Sequence, residues 1–311
     1  MNVLVVGGTG FVGSALARLL TQRGHRVSLL SRRPSAPRAL PPVYHWDPER
    51  EELDPNALAG IEAVVNLAGE NLAGVRWTPE RKRRLVSSRV DATAFLVQRW
   101  GDPGPAPRTL VNASAIGIYG NRGDEVLTEE SAPGSGFLAD LCRGWEEAAL
   151  RARASGARVV LARFGVVLDP AGGALEKLTP IFKLGLGGPL GNGRQWWSWV
   201  TLADVLQSIE LALTREELSG PVNVVAPAPV RNREFARALG RALRRPALLP
   251  APAPVIRLAL GEAADALLSS ACVTPRKLLS AGYRFAFEDL DRAFASALRA
   301  SRGSGAPTRP S

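Results

Sequence analysis

Three glycines near the start of the chain have the spacing of a phosphate-binding loop. Gly7, Gly10 and Gly13 follow the strand-like run VLVV and open the helix-like run FVGSALARLLTQRG. In such a unit the first glycine permits a tight turn, the second lets the backbone approach a pyrophosphate, and the third lets the helix pack closely on the sheet. The anion binds free N–H groups at the helix N-terminus. The predicted dinucleotide-binding loop comprises Gly7, Thr9, Gly10, Phe11, Val12 and Gly13.

The end of the second strand-like run indicates which dinucleotide this loop would hold. An NAD site usually has an acidic residue there, which accepts hydrogen bonds from the ribose hydroxyls. This chain has Ser31, Arg32 and Arg33 instead, and guanidinium groups favour a 2′-phosphate. The sequence therefore predicts NADP(H) as the cofactor; the alternative is that both arginines only face solvent.

Short apolar runs alternate with helical patterns along the chain. The runs NVLVVG, RVSLLS, AVVNLAG, TLVNASA, RVVLARFG and PVNVVA are strand-like, and residues 79–100, 136–154 and 202–214 have apolar positions at helical spacing. This alternation predicts an α/β fold, a Rossmann-type doubly wound parallel sheet with helices on both faces.

The alternation breaks in two places, which predicts a second, smaller unit. Residues 172–199 are rich in glycine and tryptophan, and the helical patterns from residue 231 onward do not alternate with convincing strands. We expect a nucleotide-binding domain over 1–230, with 172–199 contributing to a substrate lobe, and a mainly helical lobe over 231–298. The glycine-, serine- and proline-rich segment 299–311 is predicted to be disordered.

Composition argues against several other classes of protein. With two histidines and two widely separated cysteines, neither a Cys/His zinc site nor a His-based triad is predicted. No apolar run reaches the roughly 20 residues of a membrane span, and Arg257, Glu262 and Asp265 interrupt the stretch 255–268. The net charge of +10 is mostly scattered arginine, which predicts solvated surface rather than a nucleic-acid interface. Cysteine usage and the absence of a secretory signal before Gly7 predict a cytoplasmic protein.

Longer motifs resemble a known family. The glycine loop, NLAG at 66–69 and NASAIGIYG at 112–120 resemble the extended branch of the short-chain dehydrogenase/reductase superfamily. More narrowly, RFGVVLDPAGGAL, KLGLGGPLGNGRQWWSWV and VTPRKLLSAGYRF resemble the epimerase family proteins, which end in a domain of unknown function. The resemblance runs from residue 2 to about 298, and it implies a Rossmann-type domain, a small substrate lobe and NADP(H).

The resemblance also implies cofactor contacts outside the glycine loop. Asp47 would lie near the adenine, the alternative being an ordinary turn residue. Arg89 belongs to a helix that faces the nicotinamide in relatives, where it would contact the cofactor or an acidic substrate, or only pair at the surface. The segment passing beneath the adenosine ribose would be Asn66, Leu67, Ala68 and Gly69.

This chain departs from the superfamily at the residues that are expected to perform the chemistry. In the superfamily a serine orients the substrate oxygen, a tyrosine transfers its proton, and a lysine four residues on lowers the pKa of the tyrosine. Ser114 fits the serine, but the helical run FLADLCRGWEEAALRA has neither tyrosine nor lysine. Depending on register, the tyrosine position falls on Leu138 or Ala139, and the lysine position falls on Cys142 or Arg143.

Substitutes for the missing pair occur nearby. Tyr119 follows Ser114 by five residues and is predicted as a substitute acid, unless it only lines the pocket. Arg143 is predicted to supply the fixed positive charge. Together with Ser114, these residues form the predicted catalytic set.

The predicted substrate-binding residues lie in the segment GNGRQWWSW. Arg194 stands there beside Trp196 and Trp197, a cation with aromatic faces that could hold a phosphate and a ring. The alternative is that the rings only attach the lobe to the main domain. Arg163 and Asp204 are predicted to be structural, Asp204 because negative charge is favoured in the first turn of a helix.

Two functions are compatible with these features. One is an NADP(H)-dependent oxidoreductase or epimerase acting on an unidentified small molecule, with Ser114 orienting the oxygen on the reacting carbon. The other is a non-catalytic NADP(H)-binding sensor or scaffold, which the missing tyrosine and lysine favour. A second ligand pocket argues for the enzyme, because a sensor would not need one. No metal, nucleic acid or membrane partner is predicted, and the sequence leaves the oligomeric state open.

Overall fold

The computed structural model describes residues 1–32, 41–72, 76–102 and 104–303. Its strands are β1 (Asn2–Val6), β2 (Arg26–Ser31), β3 (Val43–Asp47), β4 (Glu52–Leu53), β5 (Ala63–Asn66), β6 (Thr109–Ala115), β7 (Val126–Leu127), β8 (Arg158–Phe164), β9 (Val166–Asp169), β10 (Trp196–Trp197), β11 (Trp199–Thr201), β12 (Gly220–Val224), β13 (Val230–Arg231) and β14 (Cys272–Val273). Its helices are α1 (Phe11–Gln22), α2 (Pro79–Val86), α3 (Ala92–Gln98), α4 (Phe137–Leu150), α5 (Gly173–Lys183), α6 (Leu202–Thr214), α7 (Asn232–Leu243), α8 (Ala253–Leu260), α9 (Asp265–Leu268), α10 (Arg276–Ser280) and α11 (Leu290–Gly303).

One large sheet positions everything else. Its strand order is β12-β8-β6-β5-β1-β2-β3-β4, with parallel pairing from β12 to β3 and an antiparallel edge between β3 and β4. The chain runs outward from β1 through β2 and β3, then restarts on the other side with β5. The carboxyl ends of β1 and β5 therefore form a topological switch point, where ligands bind in folds of this kind. The predicted doubly wound parallel sheet is confirmed.

Alternation along the buried strands divides the core into two layers. In β1, Val5 faces one side and packs in a cluster with Leu16 of α1 and Ile209 of α6. Leu4 faces the other side and packs in a cluster with Phe95 of α3. Because neighbouring residues of a strand point to opposite faces, an uninterrupted apolar run is what a sheet covered on both sides requires.

The predicted helices differ from the observed ones mainly where a π turn or a 3₁₀ turn interrupts the α-helical geometry. The prediction over 202–214 coincides with α6, whose first turn is capped by Thr201, which accepts a hydrogen bond from the backbone N–H of Asp204 at 3.2 Å. The prediction over 79–100 is divided into α2 and α3 by a π turn at Ser87–Asp91. The prediction over 136–154 ends as α4 at Leu150 and continues as a 3₁₀ turn, Arg151–Ser155.

A third apolar cluster forms the core of the smaller lobe. It includes Phe182 of α5, Trp197 of β10, Phe235 of α7 and Phe294 of α11. The rings of Trp197 and Phe235 lie 4.9 Å apart, and those of Phe235 and Phe294 lie 5.1 Å apart, in edge-to-face arrangements. Segment 172–199 thus packs with the helices that follow residue 231, and the exact domain boundary stays a prediction.

The C-terminal part of the chain does not stay in the lobe. β14 pairs with β7, and Leu278 and Phe285 join the core layer of the large sheet that contains Val5. Part of the predicted lobe over 231–298, the segment around 272–285, therefore packs on the large sheet, and the division into domains stays a prediction. Helix α11 continues to Gly303, so the predicted start of the tail at residue 299 falls within this helix; residues 304–311 lie outside the described part.

Within the described residues, no helix combines the length and apolar character needed to cross a bilayer. The same residues contain no group of three or more His, Cys, Asp or Glu side chains placed to hold a metal ion. Cys142 and Cys272 are both buried free thiols.

Candidate functional site

A groove opens at the switch point, and close backbone packing shapes it. Gly7 has a φ of 76°, and a Cβ there would lie 2.9 Å from the carbonyl oxygen of Leu67. A Cβ on Gly13 would lie 2.3 Å from the carbonyl oxygen of Gly7, so only glycine lets α1 approach the strand this closely. Helix α1 begins after Gly10 with no side-chain cap and no acidic residue in its first turn. Its N–H groups and dipole are therefore suited to an anion.

Most predicted cofactor residues lie together on this groove. Its volume is about 550 Å³. The predicted residues that line it are Gly7, Thr9, Gly10, Ser31, Arg32, Leu67, Ala68 and Gly69. Gly13 acts through packing, whereas Arg33 lies outside the described residues.

Three other predicted cofactor residues do not line the groove. Val12 packs in the sheet core, and the ring of Phe11 lies against the backbone at Gly172, where a Cβ would come within 2.4 Å of it. The carboxylate of Asp47 accepts a hydrogen bond from the backbone N–H of Glu49 at 3.1 Å, so it stabilises the turn after β3. Asp47 does not line the groove, whereas its neighbours Trp46 and Pro48 do, so the structure favours the turn role and contact with adenine stays a prediction.

Asn66 acts on the site through the buried hydrogen bonds of its side chain. It is fully buried, and its side-chain amide donates to Thr93 at 2.9 Å and to the Oδ1 of Asn112 at 2.7 Å. Its own Oδ1 accepts from the backbone N–H of Ala68 at 3.2 Å. Asn66 thus fixes the loop that follows β5, and its predicted position beneath the adenosine ribose stays a prediction.

Arg89 is the buried cation at the inner end of the groove. It lies within the π turn Ser87–Asp91, beneath Gly69, where a Cβ would come within 2.9 Å of the guanidinium carbon. Its Nη2 donates to the carbonyl oxygen of Glu70 at 2.8 Å, and its guanidinium lies 5.2 Å from the ring centroid of Trp145. Burial lowers the pKa of Arg89 to about 10, so it keeps its charge at neutral pH. Its Nε has no hydrogen-bond partner among the described residues.

A second cavity, of about 450 Å³, lies between the carboxyl ends of β6 and β8 and the lobe. Leu138 and Cys142 of α4 face it, whereas Ala139 is fully buried. This arrangement favours the register with Leu138 at the position of the tyrosine and Cys142 at that of the lysine, and the assignment stays a prediction. The loop after β5 contributes to both sites, since Glu70 lines the groove and Leu72 lines the cavity.

The predicted catalytic hydroxyls do not reach this cavity. Ser114 is buried and donates from Oγ to the Oε1 of Glu146 at 2.6 Å. Tyr119 is fully buried, and its hydroxyl accepts from the Nη1 of Arg163 at 2.9 Å and lies 2.7 Å from the Oδ1 of Asn223. Burial raises the pKa of Tyr119, and Arg163 only partly opposes this. The buried Glu146–Arg163 pair holds both hydroxyls in the core, so this placement does not support their predicted catalytic roles.

The predicted cations are also placed elsewhere. Arg143 pairs with Asp140 at 2.9 Å and does not line the cavity, so its predicted role as the fixed charge is not supported. Trp196 and Trp197 do line the cavity. Arg194 is exposed and does not line the cavity. The cation that lies over the ring of Trp196, 4.0 Å from its centroid, is Arg231 instead.

The sequence interpretation missed the charged residues that the lobe contributes. Arg257, Glu262 and Asp265 line the cavity. The sequence did single out these residues, since they are the charges that interrupt the apolar stretch 255–268. The positions of such charges do not, however, predict which face of a helix meets a cavity.

We expect the thiol of Cys142 to be unreactive in the native protein. Burial, followed by the charge of Glu146, raises its pKa to about 12, so at pH 8 it holds on the order of a thousandfold less thiolate than a free cysteine. In a Cys272→Ser variant, which leaves one thiol, iodoacetamide should alkylate the native protein at least about a hundredfold more slowly than the urea-unfolded protein. Equal rates would contradict the buried placement.

Comparisons with known proteins agree with this architecture. Residues 3–225 match the NAD dependent epimerase/dehydratase family, and residues 251–297 match a domain of unknown function, DUF1731. An epimerase family protein of Mycobacterium tuberculosis is 47% identical over 284 residues, covering 91% of this chain and 93% of that protein. The crystal structure of human epimerase family protein SDR39U1 (isoform 2) with NADPH superposes with a TM-score of 0.88 at 35% identity, over 96% of this chain and 99% of that one. A Corynebacterium glutamicum structure described as a nucleoside-diphosphate sugar epimerase has a TM-score of 0.78 at 33% identity, over 96% of this chain and 58% of that one.

Proposed function

Because the chain belongs to the NAD dependent epimerase/dehydratase family, we propose that it is an NADP(H)-dependent oxidoreductase or epimerase of the short-chain dehydrogenase/reductase type. The groove beside β1 binds the cofactor, and the cavity behind it binds a small molecule. The observation that carries the proposal is that one loop contributes to both sites, since Glu70 lines the groove and Leu72, two residues later, lines the cavity.

The residues of the groove fit a phosphorylated dinucleotide. The uncapped N-terminus of α1 supplies N–H groups to a pyrophosphate, and the lack of Cβ atoms at Gly7 and Gly13 keeps the strand, loop and helix close together. At the end of β2, Ser31 and Arg32 line the groove where an NAD site has an acidic residue. The human relative described with NADPH supports the same choice of cofactor.

A bound nicotinamide would supply or accept a hydride. The chain contributes a buried positive charge beside the groove, because the guanidinium of Arg89 lies against Gly69, which lines the groove, and against the ring of Trp145 of α4. A preorganised cation stabilises negative charge that develops on an oxygen in the transition state. Leu138 and Cys142 give the cavity an apolar side chain and a protonated, uncharged thiol on the side of α4.

A non-catalytic sensor is the second candidate. The specific observation in its favour is that α4 contains neither a tyrosine nor a lysine, and that the side chains it turns to the cavity include Leu138 and Cys142. Purified protein with NADPH and a panel of carbonyl compounds distinguishes the two functions, with the absorbance of the reduced cofactor as readout. Oxidation by any member establishes an enzyme, and tight binding without turnover across the panel favours the sensor.

Replacing Arg32 with alanine should weaken NADPH binding about ten- to a hundredfold, because a hydrogen bond to a charged phosphate contributes roughly 1.5–3 kcal/mol. Binding of NADH, which lacks the 2′-phosphate, should change little. Isothermal titration of both cofactors measures this, with Arg26→Ala at the exposed opposite end of β2 as the matched control. An equal loss for both cofactors would contradict the assignment of Arg32.

A further inference from the structure

Exposed apolar side chains are concentrated in two segments of the lobe. Of the ten large apolar side chains that are exposed among the described residues, seven lie within 181–186 and 248–258. The most exposed of these seven are Leu248 at 80%, Leu258 at 78% and Leu184 at 75%. Single apolar residues are ordinary on a protein surface, whereas a cluster of them indicates contact with a partner.

Backbone hydrogen bonds hold the two segments side by side. The N–H of Leu249 donates to the carbonyl oxygen of Gly187 at 3.3 Å, and the two backbones stay hydrogen-bonded as far as residues 191 and 251. The exposed leucines that precede or begin this pairing therefore belong to one surface. This leucine patch comprises Leu184, Leu186, Leu248 and Leu249.

The backbone under the leucine patch has few N–H groups that need water. Residues 246–254 include four prolines, which have no N–H. The N–H groups of Leu249 and Ala251 already donate to the carbonyl oxygens of Gly187 and Pro189. Because an N–H without an acceptor is costly to remove from water, this segment is suited to contact with an apolar medium.

The charges around the leucine patch are positive. Residues 177–203 and 235–261 contain lysine and arginine but no acidic residue. A depression of about 470 Å³ at the end of α7 is lined by Leu248 together with four arginines, Arg237, Arg241, Arg244 and Arg245. Of these arginines, only Arg241 forms an ion pair within the described part of the chain, with Asp291. The surface therefore fits a partner that carries negative charge.

We infer that the leucine patch and the arginine-lined depression dock on a membrane surface that contains anionic phospholipids. The leucines enter the boundary between headgroups and acyl chains, and the arginines bind headgroup phosphates. Such a contact needs no membrane-spanning run, and the lack of such a run was the basis for predicting no membrane partner. Leucines that project this far suit a bilayer, which accepts them without matching pockets. A second copy of the chain fits less well, because a two-fold interface at this surface would bring arginines together.

Co-sedimentation of the full-length protein with lipid vesicles tests the inference. Vesicles of phosphatidylcholine and phosphatidylserine in equal parts should bind the protein at least about tenfold more strongly than vesicles of phosphatidylcholine alone, because each arginine near an anionic surface adds roughly fivefold. Equal binding to the two kinds of vesicle, or no saturable binding to the anionic ones, would overturn the inference.

The net charge of +10 attracts the whole protein to any anionic vesicle, so a pair of double variants locates the contact. Arg244→Asn/Arg245→Gln should weaken binding about tenfold or more. Asparagine suits the first position, because Arg244 has a φ of 54°. Arg83→Gln/Arg84→Gln removes the same charge from exposed positions of α2 and should weaken binding less than about threefold. Equal losses would assign the binding to overall charge and overturn the inference.

Removal of the leucines tests the apolar part of the contact. Leu184→Ser/Leu248→Ser should weaken binding to the anionic vesicles at least about tenfold, because both side chains leave water in the bound state. Leu279→Ser, at an exposed position of α10 outside both segments, should leave binding unchanged. Thermal unfolding of each variant shows that the fold is retained.

Unchanged vesicle binding in Leu184→Ser/Leu248→Ser would overturn the inference. Sedimentation velocity without lipid gives the remaining comparison. A dimer of the parent protein that dissociates in this double variant would assign the surface to a second copy of the chain instead.

Discussion

Replacement of Arg163 with methionine should lower the free energy of unfolding by about 3–5 kcal/mol, because it leaves a buried carboxylate without its partner. Arg163 is 4% exposed and Glu146 is 6% exposed. The pair is bidentate, with both N–H···O distances 2.8 Å. Burial alone would lower the pKa of Arg163, but the hydrogen bonds and charge of Glu146 outweigh it and raise the pKa. Urea unfolding followed by tryptophan fluorescence measures the loss.

Two further variants separate this cause from loss of side-chain volume. The double variant Glu146→Leu/Arg163→Met removes both charges and should be more stable than the single Arg163→Met variant, since no buried charge is left unpaired. Arg241→Met breaks the exposed pair with Asp291 and should cost less than about 1 kcal/mol. If the double variant were less stable than the single one, the loss would have to be assigned to packing.

Gly13→Ala should reduce NADPH affinity by at least about tenfold and destabilise the protein by roughly 1–3 kcal/mol, the usual cost of overpacking. The added Cβ would lie 2.3 Å from the carbonyl oxygen of Gly7 and 2.8 Å from the Cα of Gly8. Both contacts are with backbone, so no side-chain rotation relieves them, and α1 must move away from the loop. Isothermal titration with NADPH and thermal unfolding check the two effects.

Gly144 provides the matched control for this substitution. It lies within α4, and the nearest atom to an added Cβ is a methyl group of Val90 at 3.4 Å, an ordinary contact. Gly144→Ala should therefore leave NADPH affinity unchanged and add up to about 1 kcal/mol of stability through helix propensity. Equal affinities for NADPH in the two variants would contradict the packing role of Gly13.

The sequence was most informative where function depends on backbone. The strand runs and the spacing of Gly7, Gly10 and Gly13 predicted the sheet and the groove, because a close backbone approach restricts residue type locally. The end of β2 followed from the same pattern, and Ser31 and Arg32 do line the groove.

Side-chain partners could not be predicted in the same way. Glu146 lies on α4 and Arg163 on β8, and only tertiary packing determines that they meet and bind Ser114 and Tyr119. The sequence around a serine at a strand end is the same whether its hydroxyl faces a cavity or a buried carboxylate, so the sequence does not distinguish the two. The register of α4 was ambiguous for a related reason, since both alternatives placed one apolar and one polar residue at the required spacing.

The return of the C-terminal segment to the large sheet limits how the two units can move. The backbone passes between them repeatedly, between β11 and α6, between β12 and β13, between α9 and β14, and between Phe285 and α11. A hinge works through a few residues that absorb a large change in backbone angles, and several parallel tethers resist such a rotation. Entry to the cavity is therefore expected to depend on local movement at its rim rather than on a swing of the whole lobe.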